Sequence, residues 1–206
     1  MNVSSNETLN LALTLPTGSY GRYDAREDRT EVFTCPALTI APYQSVVLVS
    51  APENAEPARP SLGAQTGSLA LERFDLELRE IGGGVETIRD FVLKPVSSFK
   101  RDFSGELIYT ASFHLGALPK WAVFSAQHVY ECMELTINGK SLSFIYAPPY
   151  EQEITDSLKL GKNEITIRVA TTALRNANTK PGIFGKERTV LEPTGMFGEV
   201  IIDLFA

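Results

Sequence analysis

Residues 129–172 read VYECMELTINGKSLSFIYAPPYEQEITDSLKLGKNEITIRVATT, and residues 193–204 read PTGMFGEVIIDL; between them they decide the fold. Glu134 to Ile137 alternates apolar and polar side chains and runs into Asn138-Gly139. That dipeptide tolerates positive φ, so it closes a hairpin. A second strand follows at Ser141 to Tyr146 and stops at the stiff corner Ala147-Pro148-Pro149-Tyr150. Glu153-Ile154-Thr155-Asp156 leads into a turn-rich link, Leu158 to Asn163. Glu164 to Val169 alternates again, and Val200 to Leu204 is the closing strand.

The same two-residue period continues upstream. Phe74 to Glu80 alternates cleanly, Glu106 to Leu115 is a long strand, and Trp121 to Gln127 is another. Val85 to Val92 fits either a strand or a brief helical turn. Further back, Leu9, Leu11, Leu13 and Leu15 alternate with smaller or polar residues until Pro16-Thr17-Gly18. Leu38 to Ile40 and Gln44 to Val49 read as two more strands, while Tyr20 to Thr30 is polar and charged around two tyrosines. Ala51 to Ala70 is rich in Pro, Ala and Gly without apolar periodicity, which reads as a linker. No segment sustains a 3.6-residue apolar period over three turns, so the expected class is all-β. The expected division is a β-sandwich end at 1–50, a linker at 51–70 and a second β domain at 71–206.

Length and composition narrow the function. An α/β barrel takes about 250 residues, more than the 206 present. Hydrophobic content of 43% is that of an ordinary folded domain. A net charge of −6 argues against nucleic acid and anionic membrane surfaces as partners. No apolar run reaches the roughly 18 residues of a membrane span. The N-terminus lacks a basic start followed by an apolar core, so a cytoplasmic location is the expectation. Cys35 and Cys132 lack C-x-x-C spacing and read as two free thiols, with a disulfide between them as the alternative. No zinc or redox centre is expected from them.

The order of these pieces carries a resemblance. A strand ending in NGK, a PP-Y corner, an ITD-L-K-G-N segment and a closing P-G-M-G-V strand resemble the galactose-binding-like jelly-roll domain of bacterial glycoside hydrolases. Family 2 enzymes and their rhamnosidase-like relatives are examples. The matching positions are Asn138, Gly139, Lys140, Pro148, Pro149, Tyr150, Ile154, Thr155, Asp156, Leu158, Lys159, Gly161, Asn163, Pro193, Gly195, Met196, Gly198 and Val200. Phe103 to Leu115 resembles the strand that opens that jelly roll. Tyr23-Asp24-Ala25, with Pro42, Tyr43, Ser45, Val46 and Val47, resembles the end of the small sandwich that follows the barrel in the same enzymes. The resemblance implies a galactose-binding-like jelly-roll β-sandwich with a short N-terminal β segment packed on it. It implies an accessory role, since the catalytic carboxylates of such enzymes lie on a separate barrel. It also allows a structural calcium ion held by loop carbonyls and carboxylates, although the chain has no D-x-D-x-D-G loop; no other cofactor is expected.

Candidate chemistry is sparse. A glycosidase needs two carboxylates about 5 to 10 Å apart. Glu131 with Glu134, Glu151 with Glu153, and Asp24 with Glu27 and Asp28 have permissive spacing but read as solvated strand faces. His114 reads as a packing residue and His128 as a surface residue, and neither accompanies a G-x-S-x-G elbow. Gly82-Gly83-Gly84 lacks the spacing of a nucleotide loop. Sugar recognition needs aromatic faces with amide, carboxylate or guanidinium partners nearby. The candidates are Trp121, Tyr146, Tyr150, Arg175, Asn176, Asn178 and Phe184. Several lie in the polar stretch 171–192, longer than the 12 to 15 residues or so beyond which loops are commonly functional or disordered. Against these stand packing of Tyr150 beneath the proline corner and a core position for Trp121.

The leading expectation is a non-catalytic carbohydrate-binding or scaffolding module of a glycoside hydrolase, with carbohydrate or a catalytic barrel as partner. A stand-alone lectin-like protein, a structural interaction module without a small ligand, and an independent enzyme are the alternatives.

Overall fold

Alternation along each strand sorts its side chains onto two faces, and the apolar face must be covered. The computed structural model describes residues 1–4, 7–25, 28–34, 37–57, 63–173, 175 and 193–206. It divides into two units, Met1–Ser61 and Leu62–Ala206.

The second unit is an all-β sandwich. Its larger sheet has six antiparallel strands in the order β12-β11-β14-β9-β7-β8. These are β7 (Arg73–Glu80), β8 (Val85–Val92), β9 (Gly105–Leu115), β11 (Cys132–Ile137), β12 (Lys140–Ile145) and β14 (Gly161–Ala170). The smaller sheet has four, in the order β13-β10-β15-β6. They are β6 (Gln65–Ala70), β10 (Trp121–Tyr130), β13 (Tyr150–Glu153) and β15 (Gly195–Phe205). Phe74, Leu76, Leu107, Tyr109, Leu135, Ile165 and Ile167 of the larger sheet form one core with Ala122, Phe124, Met196 and Ile202 of the smaller. Each large side chain so buried stabilises the fold by about 1.5–3 kcal/mol.

The Asn138-Gly139 turn forms as its sequence dictates, with φ of 51° and 82°. Asn138 also reaches beyond its turn. Its amide donates to the Ser157 carbonyl and to Asn163 Oδ1, both at 2.8 Å, and its Oδ1 accepts from the Glu164 N–H at 3.1 Å. Asn163 is fully buried. It donates to the carbonyls of Lys159 and Gly161, and it accepts from the Lys159 N–H at 2.9 Å. The asparagines of two separate sequence motifs thus form one network that satisfies the buried Asn163 amide. Thr155 works similarly: its hydroxyl accepts from the Ala122 N–H at 2.9 Å, tying the ITD segment to β10.

The first unit holds a two-stranded pair, β1 (Leu9–Ala12) with β4 (Ala37–Ile40), and a three-stranded sheet, β3-β2-β5. The latter comprises β2 (Tyr20–Asp24), β3 (Arg29–Phe33) and β5 (Val47–Ser50). The buried Asn2 amide donates to the carbonyls of Glu7 and Ile40.

Two differences from the sequence reading stand out. Tyr20–Asp24 and Arg29–Phe33 form a hairpin where a polar segment is expected, held in part by Arg29 between Glu31 and Glu56. Residues 65–70, expected as linker, form β6 and complete the smaller sheet against β15. A polar edge strand with one large apolar residue, Leu69, shows no alternation to read. Residues 85–92 are a strand, paired with β7. Cys132 is a free thiol, and Cys35 lies outside the described residues.

Candidate functional site

Register fixes which side chains share the outer face of the four-stranded sheet. Ala122, Phe124 and Ala126 of β10 point into the core, so Trp121, Val123 and Ser125 point away. Cross-strand partners lie on the same face. Trp121 therefore shares a rung with Phe205, Val123 shares one with Asp203 and Glu153, and Ser125 shares one with Ile201 and Glu151. A bulge between Ala126 and His128 shifts the register and brings His128 opposite Phe197. The Phe197 ring stacks on His128 with centroids 4.9 Å apart, and on Tyr130 at 5.7 Å with the ring planes 5° apart.

The bulge rests on one glycine. Gly198 has φ of 80°, and a Cβ there would lie 2.4 Å from Gln127 Oε1. That oxygen accepts the Glu199 N–H at 3.1 Å. Nearby, Gly195 has φ of 90° and leaves room for the Tyr109 hydroxyl, which accepts the Met196 N–H at 3.0 Å. Burial drives the Tyr109 phenol far above its ordinary titration range.

The result is a face with rings at both ends and a mixed middle, where Val123 and Ile201 lie among polar groups. Trp121 and Phe205 mark one end, and Tyr130, Phe197 and His128 the other. At about 3.3 Å per residue, Trp121 and Tyr130 lie about 25–30 Å apart along β10. Glu151, Glu153, Asp203 and Ser125 occupy the middle. Asp203 accepts from the Gln65 amide at 2.8 Å. The four strands contribute Glu151, Glu153, Glu199 and Asp203 but no lysine or arginine.

The outer face of the six-stranded sheet differs in kind. Arg168 bridges Glu134 and Glu106, Arg89 pairs with Asp75, and Arg73 pairs with Asp90 at 2.5 Å. The Ser141 hydroxyl and the Arg168 guanidinium hold the Glu134 carboxyl below its ordinary value, and Arg89 does the same for Asp75. An open depression of about 450 Å³ lies here, lined by Arg73, Asp75, Arg89, Asp90, Lys162 and Glu164. Among the described residues, no group of His, Cys, Asp and Glu could hold a metal ion.

The residues singled out from sequence scatter. Trp121 is half-buried on the outer face just described. Tyr146 is 73% exposed, just beyond β12. Tyr150 pairs with Ala126, so its ring turns inward and packs against the core, while its hydroxyl donates to the Glu131 carbonyl at 3.1 Å. Burial pushes the Tyr150 phenol up. Arg175 is buried and donates to the Arg101 carbonyl at 3.2 Å. Tyr150 and Arg175 are thus committed to packing rather than turned to solvent. Asn176, Asn178 and Phe184 lie outside the described residues. Phe205, Phe197, Tyr130 and Asp203 go unnoticed in the sequence because their shared face depends on a register and a bulge that no local pattern reveals.

No family model matches the chain, and no curated protein does. Solved structures do. A rhamnosidase from Novosphingobium sp. PP1Y superposes with a TM-score of 0.69 at 15% identity, over 94% of this chain and 21% of that one. A GH2 β-galacturonidase from Eisenbergiella tayi gives 0.52 at 9% identity, over 72% of this chain and 26% of that one. A β-glucuronidase from Ruminococcus gnavus gives 0.51 at 16% identity, over 69% of this chain and 29% of that one. At such identities the likeness establishes the fold: an all-β architecture also found within glycoside hydrolase chains. This chain spans between a fifth and three tenths of the length of those chains.

Proposed function

We propose that this chain is a non-catalytic accessory sandwich of a glycoside hydrolase, and that it holds carbohydrate on the outer face of its four-stranded sheet. The observation that carries the reading is the pairing of ring clusters at both ends of that face with hydrogen-bonding groups between them. Aromatic faces cover the C–H surface of a pyranose, and carboxylates and hydroxyls accept from its hydroxyl groups. The separation of the rings suits an extended oligosaccharide lying along β10 better than a single sugar. Glu151, exposed, and Glu153, half-buried, serve here as acceptors for sugar hydroxyls.

The test is retention of the purified chain on a glycan panel, with Trp121→Ala and Phe197→Ala run alongside. Retention of the parent on one glycan class, weakened by both substitutions at unchanged folding, supports the reading. Retention indifferent to both would overturn this placement of the site.

A scaffolding role is the second reading. It is favoured by the small share of the glycoside hydrolase chains that this fold occupies. No retention on any glycan, with stable association to a catalytic barrel supplied in trans, would select it.

A further inference from the structure

We infer that one end of the second unit's sandwich is a docking surface for a short acidic segment of a partner protein, one that carries apolar side chains among its carboxylates. Three connections meet at this end. Gly161 at the start of β14 pairs with Leu115 at the end of β9, so the β9–β10 link leaves from beside the link that precedes β14. The Ala122 N–H donates to Thr155 Oγ1 and the Ile154 N–H donates to the Ala122 carbonyl, which fixes the start of β10 against that same link. The Asn138 amide ties the Asn138-Gly139 turn to it through the Ser157 carbonyl and Asn163.

These connections and the start of β14 carry Lys120, Lys140, Lys159 and Lys162, all exposed. None of the four takes part in an ion pair among the described residues, whereas Arg73, Arg79, Arg89, Lys100 and Arg168 elsewhere on the unit each do. Against the lysines stand Asp156 on the link and Glu164 two residues past Lys162, so ammonium groups outnumber carboxylates here. A chain of net charge −6 thus gathers unpaired positive charge at one end.

Two leucines stand among the lysines. Leu118 is 59% exposed and Leu160 is 64% exposed. Apolar side chains ringed by charge reproduce the apolar centre and polar rim of a protein interface. A complementary partner sets carboxylates against the lysines and apolar groups against the leucines. Residues 116–120 and 155–160 include no aromatic ring, so these links offer a pyranose no flat face to stack on. The chain's overall negative charge opposes a long polyanion at range, which leaves a short acidic segment as the better match. This occupant is independent of any carbohydrate on the four-stranded face.

The experiment measures binding of the full chain, at low salt, to three soluble probes: a short peptide of glutamates interspersed with leucines, the same peptide with glutamine for glutamate, and an oligogalacturonate. The glutamate peptide should bind about tenfold or more tighter than its glutamine counterpart. That gap should shrink at roughly 0.5 M salt. Lys120→Glu/Lys159→Glu should close most of it, and Lys159→Glu alone should narrow it. Arg101→Glu makes the same charge change four residues before β9 begins, at the opposite end of the sandwich, and should leave the gap as it is. Leu160→Ser should weaken the glutamate peptide about threefold or more, through lost apolar burial. Thermal melting of each variant separates a changed surface from a changed fold. Equal binding of the two peptides, or a gap unmoved in a folded Lys120→Glu/Lys159→Glu chain, overturns the docking surface. An equal loss in Lys159→Glu and Arg101→Glu reduces the effect to net charge and overturns it as well. Oligogalacturonate bound as tightly as the glutamate peptide overturns the assignment to a protein segment.

Discussion

The two sheets of the second unit cover the same core and present opposite outer faces. On the six-stranded sheet every arginine of β7, β8 and β14 sits in an ion pair with a carboxylate of its own or a neighbouring strand. On the four-stranded sheet there are acids, rings, a hydroxyl and the apolar Val123 and Ile201, and the strands contribute His128 but no lysine or arginine. A face whose charges are matched internally offers little to a ligand that any other solvated sheet would not. On the other sheet the acids stand beside rings instead, with Glu151 and Glu153 sharing rungs with Ser125 and Val123 between Trp121 and Phe197. The difference teaches where to look: rings set beside hydrogen-bonding groups, more than the number of charges, separate a candidate site from a solvated surface.

The comparison breaks most severely at the buried amides that hold the larger sheet's edge. Asn163→Leu strips partners from the Asn138 amide, the Lys159 N–H and two carbonyls, all partly buried. It should cost about 3 kcal/mol in urea unfolding. A loss under about 1 kcal/mol would mean the network is not the anchor described. Next comes Gly195→Ala on the smaller sheet. The new Cβ would lie 2.6 Å from the Tyr109 hydroxyl and 2.8 Å from Leu107 Cδ1, at a backbone φ of 90°. We expect about 2 kcal/mol of destabilisation and a lower melting temperature. An unchanged melting temperature would show that Tyr109 can move aside freely. Smaller again is Trp121→Ala. Its half-buried ring lies outside the main core, so stability should fall by about 1 kcal/mol or less. Glycan affinity should fall about tenfold, equivalent to about 1.4 kcal/mol. Equal losses in both measurements would make Trp121 a structural residue and blur the contrast between the faces.

Much of the larger sheet is legible from sequence, and the reason is local. Asn138-Gly139 specifies its turn by φ alone, and Glu164 to Val169 declares its buried face by alternation. The amide network is half-legible: both asparagines stand in the motifs that prompted the resemblance, yet nothing local says that they touch. The smaller sheet is harder. Its edge strand β6 pairs with β15, from residues 138 positions away in one hydrogen bond between Gln65 and Asp203. Residues 65–70 carry too few apolar groups to show a period. The candidate face suffers the same way. Tyr150 looks like a sugar platform beside a proline corner, but pairing with Ala126 turns it inward. Phe197 draws no notice in the sequence, and the bulge after Ala126 turns it outward beside His128. A one-residue change of register decides each case, and register is a property of the assembled sheet.

The mildest perturbation tests the self-pairing of the larger face directly. Arg168→Met removes the guanidinium shared by Glu134 and Glu106 while keeping most of the stem that packs on the sheet. Both groups are substantially exposed, with side chains 46% and 29% accessible for Arg168 and Glu134, so the cost at neutral pH should be about 0.5 kcal/mol. The pH dependence is more telling. Glu134 titrates below its ordinary value in the folded chain because the Ser141 hydroxyl and Arg168 favour the carboxylate. A depressed carboxyl contributes stability that is present above its unfolded-state value, about 4.3, and is lost as pH falls through the folded value. The parent chain should therefore lose this increment on acidification below about pH 4.3, and Arg168→Met should lose less of it, keeping the share due to Ser141. Melting temperatures of the two proteins should converge as pH drops. Parallel curves would show that the pair carries no energetic weight, and that the matched charges of this face merely keep it wet.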